Sequence, residues 1–148
     1  MLDLIQKKKD LIFGFSQETK IIDIINLKLP RSYKTLDESD HFDFRNDEHK
    51  IDIELKSRRI WKGQYPTIFF GKCKLLAGRE RLKNNTSLRI IYLFNFQNKK
   101  DKNIRDLWFW EDNLETVIIG KCGNYKRNDK EDLVVEIPMD KLKQWELL

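Results

Sequence analysis

Between residues 41 and 56 the chain alternates apolar and charged positions almost without a break. Phe42, Phe44, Ile51, Ile53 and Leu55 take one parity, and His41, Asp43, Arg45, Lys50, Asp52, Glu54 and Lys56 the other. Period two is the signature of strands with two unlike faces, and Asn46-Asp47-Glu48-His49 is a turn-like cluster between them. The pattern predicts three short strands over 32–36, 41–46 and 50–56. Upstream, residues 2–13 predict a first helical stretch. Ser16 is placed as an N-cap of a second helix, which Pro30 stops, with Ile21, Ile22, Ile25 and Leu29 as its apolar stripe. Glu18 falls on that stripe, where a favourable charge at a helix N-terminus is the simplest account of it. Downstream, a basic helix is expected over 67–83 and a buried central strand over 88–96. Further strands follow at 107–111, 116–120 and 134–137, a charged loop at 124–132, and a closing helix over 140–147. The order describes a single α/β domain spanning 1–148, a mixed central β-sheet with a three-strand meander flanked by helices.

Composition narrows the function. The chain has 148 residues, 36% of them charged and 40% apolar. No apolar run is long enough to span a bilayer, so no membrane partner is expected. The lysine run at 7–9 follows a short apolar start, the reverse of a secretory signal. Cys73 and Cys122 match no metal-binding spacing and are expected as reduced thiols, so the protein is placed inside the cell, in the cytoplasm or in a host nucleus if it is viral. The net charge is +5, yet eight acids crowd into Asp37–Glu54. A basic surface attracts nucleic acid, whereas an acidic knot within it repels phosphate unless a cation sits there.

Centring the hairpin on Asp47-Glu48 sets Asp43 opposite Asp52, with Glu54 the diagonal neighbour of Asp43 at about 7–8 Å. By parity Asp43 lies on the charged face and Asp40 points into the core. Like charges facing one another across strands are destabilising, so Asp43, Asp52 and Glu54 call for a cation or for full solvation. Mg²⁺, which keeps several waters and needs only one or two carboxylates, suits such a site. Lys56, two residues after Glu54, stands beside it on the strand, where it can orient a metal-activated water or meet a phosphate. The plainer alternative is a solvated face of alternating charges.

With Asp43 followed by Glu54-Leu-Lys56, the chain resembles the PD-(D/E)xK nuclease superfamily, whose core is a helix, a three-strand meander, a helix and a further strand. Phe42 stands where the family name has proline. The resemblance covers roughly residues 16–97 and implies a restriction-endonuclease-like fold. On it, Asp43, Glu54 and the backbone carbonyl of Leu55 hold Mg²⁺ (with Mn²⁺ able to substitute), Lys56 is the catalytic lysine, and Glu18 is the acid of the first core helix. The segment Ile53-Glu-Leu-Lys-Ser-Arg-Arg59 with Gln64-Tyr-Pro-Thr67 and Lys72 is also similar to small nuclease-like proteins of large DNA viruses, which places Gln64, Tyr65 and Lys72 near the site. The implied activity is a metal-dependent endodeoxyribonuclease acting in junction resolution, repair or recombination, with DNA as partner. A homodimer is what cutting two strands requires. The rival is a catalytically idle nuclease fold that docks DNA or protein.

Around this centre, Arg58 shares the parity of Glu54 and Lys56 and is a candidate phosphate contact, and Trp61 a candidate for touching substrate. Trp108, Phe109 and Trp110 are more simply strand core than stacking platforms. His41 and His49 fit no zinc spacing, although the expected register sets His41 within reach of Glu54.

Overall fold

In a computed structural model that describes residues 2–36, 40–122 and 132–148 (the side chains of 2, 3, 7, 10–16, 122 and 132 apart), the first element is one continuous helix, α1 (Leu2–Lys28). The expected break at Ser16 does not occur. Nothing between Phe13 and Gln17 is a proline, and Gly14 alone is too weak a breaker to stop propagation. The side chains expected as apolar at 2 and 11–13 lie outside the described ones, while Leu4 and Ile5 are exposed. The helix ends at Pro30 as expected. Arg31 turns left-handed at φ 68°, and Ser32 donates its hydroxyl to the carbonyl of Leu29 at 2.7 Å.

The meander follows as β1 (Tyr33–Lys34), β2 (Phe44–Asn46) and β3 (Ile51–Ser57), each antiparallel to the last. The segment 67–83 divides into a strand, β4 (Thr67–Gly71), and a shorter helix, α2 (Lys72–Asn84). Its first four residues are β-branched and aromatic, and burial of Ile68 and Phe70 around exposed Phe69 shows strand periodicity. Then come β5 (Arg89–Gln97), β6 (Arg105–Glu111), β7 (Ile118–Cys122), β8 (Asp132–Pro138) and the two-residue β9 (Lys143–Gln144). The expected closing helix is replaced by short 3₁₀ turns at Met139–Lys141 and Trp145–Leu147, on either side of β9. The loop expected at 124–132 falls almost entirely outside the described residues.

The strands form two sheets. A six-stranded mixed sheet has the order β1-β2-β3-β5-β6-β9, with β3 and β5 parallel, and a separate sheet pairs β4-β8-β7. This is a mixed α/β architecture. Both faces of the larger sheet are covered. Ile21 and Ile25 of α1, with Leu29 just after it, pack on Phe44, Ile51, Ile53, Leu55, Ile91 and Leu93. On the other face Tyr92, Phe94 and Phe96 meet Leu75 of α2 and Phe70 and Val135 of the second sheet. The charged parity of β3, for which a solvated face was the plainer alternative, therefore points into a second interior.

Candidate active site

The hairpin turn positions the acids. Residues 47–50 form its loop, with Lys50 left-handed at φ 55°, so that Arg45, not Asp43, faces Asp52. The shift from the expected register is two residues, which preserves every side chain's face. Continued by one step, the ladder brings Asp43 against Glu54 rather than diagonal to it. The chain leaves the ladder there: the Asp43 N–H donates to the carbonyl of Ile53 at 2.9 Å, although Ile53 already faces Phe44. This irregularity sends Phe42 across the sheet to pack with Tyr92, ring centroids 6.2 Å apart, instead of beside Phe44 as expected. It also frees the Asp43 side chain to turn along β3, where Oδ2 accepts the Leu55 N–H at 2.8 Å. Because the N–H and C=O of a strand residue point to the same side, the Leu55 carbonyl opens onto the same edge as Asp43.

Four residues singled out in the sequence, Glu18, Asp43, Glu54 and Lys56, meet here. The Lys56 Nζ lies 2.9 Å from Glu54 Oε1. Asp43 interacts directly with Glu54 on one side and Glu18 on the other. Burial, then the Glu54 charge, pushes the Asp43 carboxyl up to about 6 against the Leu55 N–H, which favours the anion. Glu18 is also raised, chiefly by desolvation, with an opposing pull from Lys34, whose Nζ lies 2.9 Å from Glu18 Oε2. Glu54 is 2% exposed, and its Oε2 is buried without a hydrogen-bond partner. A buried carboxylate oxygen left unpaired is costly.

That orphaned oxygen is the observation against which a metal can be tested. Among the described residues no three His, Cys, Asp or Glu side chains gather into a ready-made metal cage. Mg²⁺ asks for less, since one or two carboxylates suffice when waters and substrate oxygens complete the shell. Asp43, Glu54 Oε2 and the Leu55 carbonyl make an oxygen donor set of that kind. The residues present fit the ion.

Asp52 belongs to a different group. Arg45 Nε reaches its Oδ1 at 2.7 Å and an Arg81 terminal nitrogen its Oδ2 at 2.5 Å. Both arginines also hold Asp40, at 3.1 and 2.7 Å. Asp40 therefore does not point into the apolar core, as parity had it, because residue 40 lies outside the ladder. Asp52, expected to need neutralising by the metal site, is neutralised by these arginines. The acids at 37 and 38 lie outside the described residues.

The outer candidates are less convergent. Arg58 reaches across to the carbonyl of Phe69 at 3.0 Å. Gln64 closes a local turn with Trp61, accepting its N–H at 3.3 Å, and the Trp61 ring lies 5.9 Å from the Lys99 ammonium. Tyr65 is 54% exposed. Cys73 is a free, exposed thiol, whereas the side chain of Cys122 lies outside the described ones. Phe109 and Trp110 are buried strand core, as expected, and Lys62 covers Trp108 at 4.2 Å.

Sequence reasoning preferred Lys72 on α2 and passed over Lys74. Lys74 Nζ donates to the His41 carbonyl at 2.9 Å and lies 3.5 Å from Glu54 Oε1. The His41 backbone thus enters the site, while its exposed imidazole is not shown at Glu54. The signal for Lys74 was present as helical spacing. Lys74, Gly78 and Arg81 fall on one stripe, and a Cβ at Gly78 would stand 2.8 Å from the Tyr92 hydroxyl and 3.2 Å from Phe42. Gly78 lets α2 sit close on the sheet, so Lys74 meets Glu54 and Arg81 meets Asp52.

No family model matches the chain, and neither a curated protein nor a solved structure matches it. Among the described residues no helix is long and apolar enough to cross a membrane.

Proposed function

We propose that this chain is a Mg²⁺-dependent endodeoxyribonuclease with a restriction-endonuclease-like core. The observation that carries this is the buried Glu54 carboxylate, with one oxygen on Lys56, the other unpartnered, and Asp43 interacting with the group. The element order supports it: α1, the β1–β3 meander, α2, then β5 parallel to β3, with β4 inserted before α2. Asp43, Glu54 and the Leu55 carbonyl would hold the ion, with Glu18 next to Asp43 on the helix side. Bound there, a divalent ion would lower the pKa of a water and offset charge on the phosphoryl oxygens. Lys56 orients the attacking water, whose oxygen bonds phosphorus as one P–O ester bond breaks. The water's proton passes to solvent and the departing alkoxide is protonated. One site cuts one strand, so double-strand scission takes two protomers.

One observation favours a second reading, an idle nuclease fold that docks DNA or protein. Lys56 and Lys74 already neutralise Glu54 Oε1 without a metal. Incubation of supercoiled plasmid, flapped duplex and four-way junction with Mg²⁺ or Mn²⁺ separates the two. The nuclease reading expects cleavage that Glu54→Ala and Lys56→Ala abolish while DNA binding persists. Failure of the intact protein to cut any of these substrates sinks it.

A further inference from the structure

We propose that Lys74 is a second catalytic lysine, which binds a non-bridging oxygen of the scissile phosphate. The inference rests on the nuclease reading and adds a residue to the same site. Lys74 stands in the first turn of α2, which contains no acid, and a cation is disfavoured there by the helix dipole. It is nevertheless held in place from several directions. The Tyr92 hydroxyl donates to its backbone carbonyl at 2.9 Å, its Nζ is tied to the His41 carbonyl, and Gly78 one turn later lets the helix press against the sheet. The Nζ has three protons, of which the His41 carbonyl takes one. Its approach to Glu54, at 3.5 Å, is looser than the 2.9 Å contact of Lys56. The looser pair is the one an incoming anion displaces at smaller cost. The unpartnered Oε2 of the same buried Glu54 carboxylate lacks a cation, which puts the metal that would share the phosphate on the other oxygen of the group Lys74 approaches.

The charge count agrees. Glu18, Asp43 and Glu54 face Lys34, Lys56 and Lys74, so the cluster is balanced by itself. A bound divalent cation leaves it with an excess of two positive charges, and a phosphodiester anion that becomes doubly charged in the transition state cancels that excess. Without Lys74 the transition state is under-neutralised by one charge at a buried position, where such a deficit is felt most. Lys56 and Lys74 thus divide the work, one on the strand beside the water and one on the helix above the phosphate.

The test is single-turnover cleavage of supercoiled plasmid or four-way junction at saturating Mg²⁺ by wild type, Lys74→Met and Lys74→Arg, with plasmid binding in Ca²⁺ and melting temperature measured alongside. Lys74→Met is expected to slow the chemical step by about 10²-fold, with binding and melting temperature nearly unchanged. Lys74→Arg, keeping the charge, is expected to recover much of that loss. A folded Lys74→Met that cuts as fast as wild type overturns the proposal while leaving the nuclease reading intact. Absence of cleavage by wild type overturns both. If Lys74→Met melts, the charge-free Lys74→Gln carries the same comparison, and loss of rate in it without loss of fold supports the assignment.

Discussion

Asp52 and Glu54 are two residues apart on β3, share a face and are 3% and 2% exposed, yet their surroundings differ in kind. Both oxygens of Asp52 are taken by arginines from β2 and α2, whose planar forks match a carboxylate. Only one oxygen of Glu54 is held, by two lysines, and the carboxylate of Asp43 stands against it. Seven residues of helix, about 10 Å, separate Lys74 from Arg81, and one helix stripe serves both. Arginine closes a carboxylate into a structural pair, whereas lysine leaves room for another charge. A buried group that is completely satisfied reads as architecture, and one left incomplete reads as a binding site.

The contrast can be broken most severely by exchanging the roles of the two acids in activity. Glu54→Gln is expected to lower metal-dependent cleavage by roughly 10²–10³-fold or more. Asp52→Ala should leave the rate per folded molecule within a few-fold, as single-turnover assays would read. Stability should show the reverse order. Removing Asp52 leaves Arg45 and Arg81 with Asp40 as their shared partner and is expected to cost about 1.5–3 kcal/mol in urea unfolding. Glu54→Gln takes the counter-charge from Lys56 and Lys74 but also the repulsion from Asp43, and should cost less, about 1 kcal/mol. A large loss for Glu54→Gln together with none for Asp52→Ala would erase the distinction.

A third effect, smaller, is on pH. Asp43 titrates at about 6 in the fold against an ordinary 3.8. Between those values the folded protein keeps a proton that the unfolded chain has lost, so acid favours folding at this residue. Its contribution falls as pH rises through that window and is flat above it. Asp43→Asn, which retains an acceptor for the Leu55 N–H, should therefore gain stability over wild type as pH rises from acid to neutral, on the order of 1–3 kcal/mol at the plateau. Saturating Mg²⁺ should stabilise wild type and not the variant. A melting-temperature difference constant with pH would contradict the placement of Asp43 beside Glu54. The smallest effect is expected at the rim. Lys34 is half exposed, so Lys34→Met should change unfolding free energy by about 0.2–1 kcal/mol.

Much of this contrast was legible in the chain, because period-two alternation survives a register error. The turn at 47–50 consumed two more residues than a tight hairpin, and an even shift keeps Asp43, Glu54 and Lys56 on one face. What the pattern could not show is that this face is buried, since the covering elements, α2 and the β4-β8-β7 sheet, come from distant sequence. The same blindness made Thr67–Gly71 look helical, for its partner strand begins at Asp132. Lys74 was hidden among the basic residues of α2, and only the close approach at Gly78 distinguishes it from Lys72, about 200° away around the helix.

The central claim is that the incomplete carboxylate at Glu54 takes up a divalent cation and the completed one at Asp52 does not. Calorimetric titration of Mn²⁺ into the wild type, Glu54→Gln and Asp52→Asn proteins at neutral pH measures this directly. The account predicts saturable binding that Glu54→Gln removes and a folded Asp52→Asn preserves. No binding by wild type, or binding indifferent to Glu54→Gln, would contradict it.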